Sequence, residues 1–365
     1  MFASIAPVDL WCGSYTADAQ GAGLGIGMIR SESSGELTWL GIATHVPSPS
    51  FVAQHPALPV IYAVGEADGL VYAYCMKGAR ENTDEVGLVR PVAKPGLVRL
   101  QALGEPWNAG EAACHVAVDP AGRFITVTCW GNGSILLYEL DAVGAMTARF
   151  PAEPAADPHG DSGRPSRAHA TLVLPDGRLA TTDIGFDVLR IWRYEPGIGL
   201  VSDHEVVLPF GSGPRHLALH PSGHVYVVSE YSIEVFVLEA DAVGHYVLAN
   251  TVPATAEGAR PGDAAAEISI DESGQFVYVS VRSSNRISTL SVHAGGGRLE
   301  PVADVSCAGD GPRHHLQLGD RLHVANQRSN SVASFRLDPE SGVPVELLGI
   351  IDVGSPTCLA PASLS

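Results

Sequence analysis

The residues best suited to chemistry in this sequence stand at two recurring positions. In the stretch "GPRHLALHPSGHVYVVSEYS", Arg215 and His216 precede Glu230 by 15 and 14 residues, and Glu267 precedes Arg282 by 15. Arginine binds carboxylates and phosphates and stabilises a developing oxyanion. Histidine and glutamate transfer protons. If the fold brings these positions together, the set suits proton transfer combined with stabilisation of negative charge.

The same two positions recur along the chain, 14 to 16 residues apart when counted from the first residue of each set. The further sets are Ser50 with Glu66, His115 with Trp130, His169 with Asp183, and Arg313 and His314 with Gln327. The first position opens a run of alternating apolar residues, and the second closes the next run. A turn such as "PAG", "PDG" or "PSG" separates the two runs.

These stretches have the pattern of small antiparallel sheets. Apolar alternation at a period of two predicts β-strands, and helical periodicity is absent. A repeat of roughly 46 to 65 residues with three to four strands suits a propeller blade. We therefore predict an all-β fold, a seven-bladed β-propeller of four-stranded blades, as a single domain over residues 1–365. A β-sandwich pair or a β-helix would also give many short strands, but it fits this repeat less well.

The last blade is predicted to be split between the two ends of the chain. "SPTCLAP" near the C-terminus would supply its first strand, and "VDLWCGSYT" and "GLGIGMIR" near the N-terminus its next two. Pairing N- and C-terminal strands within one blade closes the ring and leaves short edges.

In such a blade the first strand lines the central channel and the second lies antiparallel beside it. The start of the first strand and the end of the second therefore lie at the same face of the disc. Ring closure gathers these positions around one mouth of the channel. Long connections, such as residues 151–167 and 253–264, enter at the same face and could wall a pocket.

Structural explanations compete with a catalytic one. His115 and His314 would cap strand ends or hydrogen-bond between blades, and Trp130 would pack or form a pocket wall. Ion pairs within one blade are open to Arg215 with Glu230 and to Glu267 with Arg282, and Asp183 would hold a loop. The case for a site rests on the whole set: a mixed group of acids, bases and cations at one mouth exceeds what closing a ring requires.

The composition limits the classes of binding partner and cofactor that we expect. A net charge of −18 argues against nucleic acid and anionic membranes. The six cysteines are scattered without zinc-ligand spacing, and the histidines show no H-E-x-x-H or related spacing, so we expect no metal. The stretch "GAGLGIG" at residues 21–27 does not match G-x-G-x-x-G and precedes a strand-like run, so we expect no other cofactor. The N-terminus lacks the basic and apolar regions of a signal peptide, which favours the cytoplasm. The sequence leaves the oligomeric state open.

The repeats carry a specific resemblance. "CHVAVDPAGRF", "GPRHLALHPSGHVYVVSEYS", "AAEISIDESGQFVYVSVRSSNRI" and "GPRHHLQLGDRLHVANQRSNSVASFRLDPESG" resemble the propeller lactonases, a family that includes 6-phosphogluconolactonases and the fungal carboxy-cis,cis-muconate cyclases. "GSYT" and "GSPTCLA" resemble the two ends of that family. The family commonly shows two histidines where this chain has Arg167 and His169, which points to a shifted substrate preference.

The resemblance implies a sugar-lactone hydrolase of carbohydrate metabolism, in the pentose phosphate pathway. Its implied catalytic residues are His169, Arg215, Glu230 and Arg282. The remaining rim residues would bind a small lactone, phosphorylated or carboxylated: His115, Arg167, His216, Glu267, Arg313, His314 and Gln327. A muconate-type cycloisomerase and a non-enzymatic binding platform stay open as alternatives.

Overall fold

The structure is a computed structural model that describes residues 6–77, 96–160 and 163–363. Within these residues the chain forms 29 β-strands and two short 3-10 helices, η1 (Ala17–Ala19) and η2 (Ala294–Gly296). None of the helices in these ranges has the length and apolar character needed to cross a membrane.

The strands form seven antiparallel sheets, the blades. Blade 1 joins β1 (Val8–Ser14), β2 (Ile26–Ser31) and β3 (Leu37–Thr44) to the last strand, β29 (Pro356–Pro361). Blade 2 contains β4 (Pro49–Gln54), β5 (Val60–Gly65), β6 (Leu70–Lys77), β7 (Arg99–Ala102) and the short β8 (Trp107–Asn108). Blade 3 contains β9 (Ala113–Val118), β10 (Phe124–Cys129), β11 (Ile135–Leu140) and β12 (Met146–Pro151).

Blades 4 to 7 follow in chain order. Blade 4 contains β13 (Ala168–Val173), β14 (Leu179–Asp183), β15 (Val188–Glu195) and β16 (Gly199–Val207). Blade 5 contains β17 (Pro214–Leu219), β18 (Val225–Ser229), β19 (Glu234–Ala240) and β20 (Tyr246–Pro253). Blade 6 contains β21 (Ala264–Ile270), β22 (Phe276–Arg282), β23 (Arg286–His293) and β24 (Arg298–Ser306). Blade 7 contains β25 (Pro312–Leu318), β26 (Arg321–Asn326), β27 (Ser331–Leu337) and β28 (Pro344–Asp352).

We name the strands of each blade A to D from the channel outward, so that strand A of blade 1 is β29. Each strand A contacts strand A of both neighbouring blades, and these contacts run around a closed ring. In blade 1, β29 pairs with β1, with Trp11 opposite Ala360 and Cys12 opposite Leu359. The predicted seven-bladed propeller and its closure by the two ends of the chain are confirmed. The single domain over residues 1–365 stays a prediction.

Burial explains the sequence pattern of the strands. Strands B in blades 2 to 5 are buried along their whole length because neighbouring blades cover both of their faces. Their sequences are accordingly apolar, as in "FITVTC" and "VYVVS". The outer strand β20 is exposed at most of its positions and accordingly mixes polar with apolar residues. The apolar side chains of adjacent blades pack face to face, for example those of Val228 and Val279 between blades 5 and 6.

The face opposite the polar positions consists of ordinary A–B turns. In "DESGQF", Asp271 Oδ1 accepts hydrogen bonds from the backbone N–H groups of Gln275 and Phe276, at 2.8 and 2.7 Å. Gly274 has φ of +72°, a conformation that favours glycine. These turns set the strand direction, so that the other ends of strands A and B meet at the opposite mouth of the channel.

Candidate active site

Strand A carries a β-bulge near its start in every blade. In blade 5, Pro214 pairs with Ser229 and His216 with Val228, so that Arg215 has no residue opposite it. In blades 4 and 6 two residues of strand A face one residue of strand B. Across the seven blades, the residues in these bulges include Ser50, Cys114, His169, Arg215, Glu267, Arg313 and Thr357. A bulge bends the strand and redirects side chains, and most of these side chains line cavities at the channel mouth.

The main cavity at this mouth has a volume of about 230 Å³. Its lining consists of Tyr15, Glu66, Cys114, Trp130, His169, Arg215, Glu230, Arg282 and Arg313. The bulges supply His169, Arg215 and Arg313, and the ends of strands B supply Glu230 and Arg282. The structure thus brings together the four residues that the resemblance implied as catalytic, from blades 4, 5 and 6.

Glu230 holds two arginines at once. Arg215 Nε lies 3.1 Å from Glu230 Oε2, and Arg282 Nη2 lies 2.9 Å from Glu230 Oε1. Both arginines also donate to backbone carbonyls at the start of β21: Arg215 to Ala266, and Arg282 to Ala265 at 3.3 Å. Burial, with the nearby Arg282, lowers the pKa of Arg215 to about 10, so that its guanidinium stays charged at neutral pH. We call this group the arginine clamp.

Arg313 differs from the arginines of the clamp. In the part of the chain that the structure describes, its guanidinium makes no hydrogen bond or ion pair. It lies over the ring of Tyr15, with Cζ 5.0 Å from the ring centre. The Tyr15 hydroxyl lies 2.9 Å from both carboxylate oxygens of Glu66 and donates to them. Burial raises the pKa of Tyr15, so that the phenol stays protonated and remains a donor. Arg313 is therefore a cation in the cavity wall that is available to an anionic ligand.

His169 is neutral in this environment. Burial lowers the pKa of His169 well below its ordinary value, and the positive charge of Arg215 acts in the same direction. Its buried Nδ1 has no hydrogen-bond partner among the described residues. An unpartnered imidazole nitrogen is free to accept a proton, and the lowered pKa makes His169 a weaker base than an ordinary histidine. Cys114 is not suited to act as a nucleophile, because burial raises the pKa of its thiol.

A second layer of polar residues lies deeper in the channel. Glu267 is within 2.9 Å of His216 Nδ1 and 3.3 Å of His314 Nε2. The His115 ring contacts Phe51, with ring centres 4.2 Å apart, and its Nδ1 accepts a hydrogen bond from the backbone N–H of Thr171 at 3.4 Å. Burial lowers the pKa of His314 to about 4. The residues predicted to form one rim therefore lie in two layers. His115 and His314 form contacts between blades, as the structural explanation of these two histidines expects.

The internal ion pair considered for Glu267 and Arg282 does not form. Arg282 binds Glu230 of the neighbouring blade, while Glu267 turns into the channel toward the two histidines. The reason lies in the bulge of blade 6. Both Ala266 and Glu267 face Ser280, so that Glu267 is turned away from the end of strand B.

Two predicted binding residues lie beside the cavity and do not line it. Arg167 stacks over Trp130, with Cζ 3.9 Å from the ring centre, and donates to the Trp130 carbonyl at 3.0 Å. Gln327 directly follows β26 and is absent from the cavity lining. Asp183 accepts hydrogen bonds from the N–H groups of Arg167 and Gly185, at 2.8 and 2.9 Å, and thus holds a loop.

Sequence reasoning missed two residues of the mouth that belong to blade 1, and it also gave no place there to Cys114, which lines both cavities. Tyr15 directly follows strand B of blade 1, and Thr357 lies in the bulge of its strand A. The rule that found the other residues also points to these two, once it is applied to the blade that is split between the chain ends. The same rule places Glu66 at the mouth, but the sequence alone suggests no role for it.

In the part of the chain that the structure describes, no cluster of metal-ligating side chains lines the cavity. Among the described residues, the group of side chains placed closely enough to hold a metal ion is Asp203, His204 and His245, none of which lines the cavity. Asp203 already forms ion pairs with Arg178 and Arg193, at 3.2 and 3.5 Å. The expectation of a site without metal or cofactor stays a prediction.

Comparison with known proteins agrees with this architecture. The family model described as lactonase, 7-bladed beta-propeller matches residues 9–361. The chain is 26% identical to a 6-phosphogluconolactonase of Bacillus subtilis over 87% of this chain and 88% of that protein. It is 24% identical to a 6-phosphogluconolactonase of Formosa agariphila over 93% of this chain and 96% of that protein.

A solved structure shows the same fold. The periplasmic gluconolactonase of Pseudomonas aeruginosa superposes with a TM-score of 0.84 at 23% identity, covering 99% of this chain and 100% of that one. At this identity the likeness concerns the fold alone. The family match over nearly the whole chain goes further, and the chain therefore belongs to the lactonase family of seven-bladed β-propellers.

Proposed function

We propose that the protein hydrolyses a sugar lactone to the sugar acid, with 6-phosphogluconolactone as the expected substrate. The proposal is supported by family membership and by relatives named 6-phosphogluconolactonase. The observation that carries it is the arginine clamp beside a neutral His169 in one cavity of about 230 Å³. This cavity holds a proton acceptor and fixed positive charge, the two components that ester hydrolysis requires.

Hydrolysis would proceed by attack of water on the lactone carbonyl. His169 accepts the proton of the water, because its imidazole is neutral and its Nδ1 has no partner among the residues that the structure describes. General-base assistance of this kind contributes roughly two to four orders of magnitude in rate. Glu230 is less suited to the role of base, because its two carboxylate oxygens are already engaged by the guanidinium groups of Arg215 and Arg282.

The negative charge that grows on the carbonyl oxygen would be stabilised by the clamp. Glu230 fixes Arg215 and Arg282 before the substrate arrives, so that neither has to reorganise during the reaction. A preorganised donor of this kind contributes on the order of 3 kcal/mol to transition-state stabilisation. The available guanidinium of Arg313 would bind the phosphate of the substrate by charge-assisted hydrogen bonds.

The test is a substrate screen of the purified protein in the presence of EDTA. Acid release from δ-gluconolactone and 6-phosphogluconolactone is followed in a pH-stat, and muconate-type diacids are assayed for cyclisation. We expect lactone hydrolysis well above the spontaneous rate, and a loss of that activity in Arg215→Ala. Conversion of muconates alone would favour the cycloisomerase. If neither class of compound is converted, the non-enzymatic binding platform is the remaining alternative.

A further inference from the structure

A second, smaller cavity forms the floor of the candidate active site. Its volume is about 10 Å³, which corresponds to the position of about one water molecule. It shares His169, Arg215 and Arg313 with the lining of the larger cavity, so that it lies directly against the substrate space. Ser50 and Thr357 complete the side that faces blades 1 and 2.

Three polar atoms of this lining are buried and lack partners. Within the described ranges, Ser50 Oγ, Thr357 Oγ1 and His169 Nδ1 form no hydrogen bond. All three belong to strand-A bulges, in blades 2, 1 and 4. Each residue is more than nine-tenths buried, with relative exposures of 4%, 3% and 5%. Buried polar atoms without partners are costly, and a single water that makes about three hydrogen bonds commonly satisfies such a group.

We propose that this floor site binds one ordered water molecule and that this water is the nucleophile of the lactone hydrolysis. The inference rests on the proposed function, since it assigns the source of the attacking oxygen. Ser50 and Thr357 would orient the water, and His169 Nδ1 would accept its proton. The three groups come from strand-A bulges of different blades, and all three residues line this one cavity.

The reaction balances in atoms and charge. The water oxygen bonds to the lactone carbonyl carbon while its proton passes to His169 Nδ1. The bond between that carbon and the ring oxygen then breaks, and His169 returns the proton to the leaving oxygen. One water is consumed, and one carboxylic acid and one hydroxyl group are formed. Cyclisation of a muconate would use no water, so an oriented water at the base serves hydrolysis specifically.

The first test is kinetic. Thr357→Val keeps the shape of the side chain and removes the hydroxyl, and we expect kcat to fall about tenfold with KM nearly unchanged. Thr357→Ser retains the hydroxyl and should recover most of the rate. Thr126→Val is the matched control, because the hydroxyl of Thr126 is also buried and unpartnered within the described residues but lies outside both cavities. It should leave kcat unchanged.

The second test needs no activity. A high-resolution crystal structure of the full chain should show one water within hydrogen-bond distance of Ser50 Oγ, Thr357 Oγ1 and His169 Nδ1. A floor without a water peak, or an active wild type with unchanged kcat in Thr357→Val, would overturn the assignment. If the wild type hydrolyses no lactone although the water is present, the proposed function fails and the floor site is a structural water.

Discussion

Blades 5 and 7 begin with the same three residues and use them differently. "PRH" occupies residues 214–216 in blade 5 and residues 312–314 in blade 7. In both blades the arginine lies in the bulge of strand A, and the histidine that follows contacts Glu267. The histidines of the two motifs therefore share one partner, whereas the arginines do not.

The difference comes from the end of strand B. Glu230 in blade 5 and Gln327 in blade 7 occupy the same backbone position: their N–H groups donate to Gly213 and Gly311, at 2.7 and 2.9 Å. The carboxylate of Glu230 forms an ion pair with Arg215, while the neutral amide of Gln327 gives Arg313 no counter-charge. The residue at the end of strand B thus gives Arg215 a direct ion pair within its own blade and, among the described residues, leaves Arg313 without one.

The largest expected effect comes from breaking the clamp. Glu230→Gln removes the charge that fixes Arg215 and Arg282, and we expect kcat/KM for lactone hydrolysis to fall by roughly 10²–10³-fold. Steady-state kinetics on 6-phosphogluconolactone measures this. Glu205→Gln is the matched control, since Glu205 also binds a buried arginine, Arg190, at 3.0 Å, but outside the cavity. Equal losses in both variants would refute a special role of the clamp.

Removing the side chain of Arg313 should weaken substrate binding. We expect Arg313→Ala to raise KM for 6-phosphogluconolactone about tenfold or more, because a charge-assisted contact to the phosphate is lost. KM for δ-gluconolactone, which has no phosphate, should change much less. Parallel assays of the two substrates give the comparison, and a uniform loss on both would assign Arg313 to the chemical step.

Converting blade 7 to the pattern of blade 5 should have a smaller effect. In Gln327→Glu a new carboxylate would pair with Arg313 and compete with the substrate phosphate, so that KM rises several-fold, or roughly 1 kcal/mol in binding. Adding Gln327→Glu to Arg313→Ala should cost little more, because the two changes act on the same contact. Additive losses on KM would show that the two residues act independently.

The buried histidines should affect stability toward acid and not the rate of catalysis. The pKa of His314 and that of His323 are each lowered to about 4 by burial, whereas an unfolded chain titrates near 6.5. Between these values the unfolded state binds more protons, so that the stabilisation is complete above about pH 6.5 and is lost as the pH falls toward 4. We expect the loss at pH 5 to be on the order of 2 kcal/mol per histidine.

Urea unfolding at pH 7.5 and pH 5 measures this loss. His323→Gln should flatten the pH dependence without altering catalysis, since His323 lies outside both cavities. If the free energy of unfolding of His323→Gln depends on pH as strongly as that of the wild type, protonation of His323 does not limit stability.

Much of this molecule could be predicted from its sequence, because the propeller repeats its pattern seven times. Period-two alternation and recurring turns indicate the blades, and antiparallel pairing then places Arg215 and Glu230 at one mouth. The prediction from residue spacing failed where a β-bulge changes the direction of a side chain. Glu267 stands 15 residues before Arg282, as Arg215 does before Glu230, but a two-residue bulge turns Glu267 into the channel.

Binding preferences are harder to derive from sequence, because they depend on which charges are already paired. The sequence alone does not distinguish the arginines of the two "PRH" motifs. Their difference emerges only when the carboxylate of Glu230 is seen between Arg215 and Arg282, and when Arg313 is seen over Tyr15. Tyr15 and Thr357 were missed for a related reason: their blade is assembled from opposite ends of the chain.

The most direct test of the account is a crystal structure of the wild-type protein with 6-phosphogluconate, the expected product. We predict that the sugar acid occupies the cavity of about 230 Å³, with its carboxylate within hydrogen-bond distance of Arg215 and His169 and its phosphate against Arg313. A product bound outside this cavity, or bound within it with the phosphate far from Arg313, would contradict the division into a fixed clamp and an available arginine.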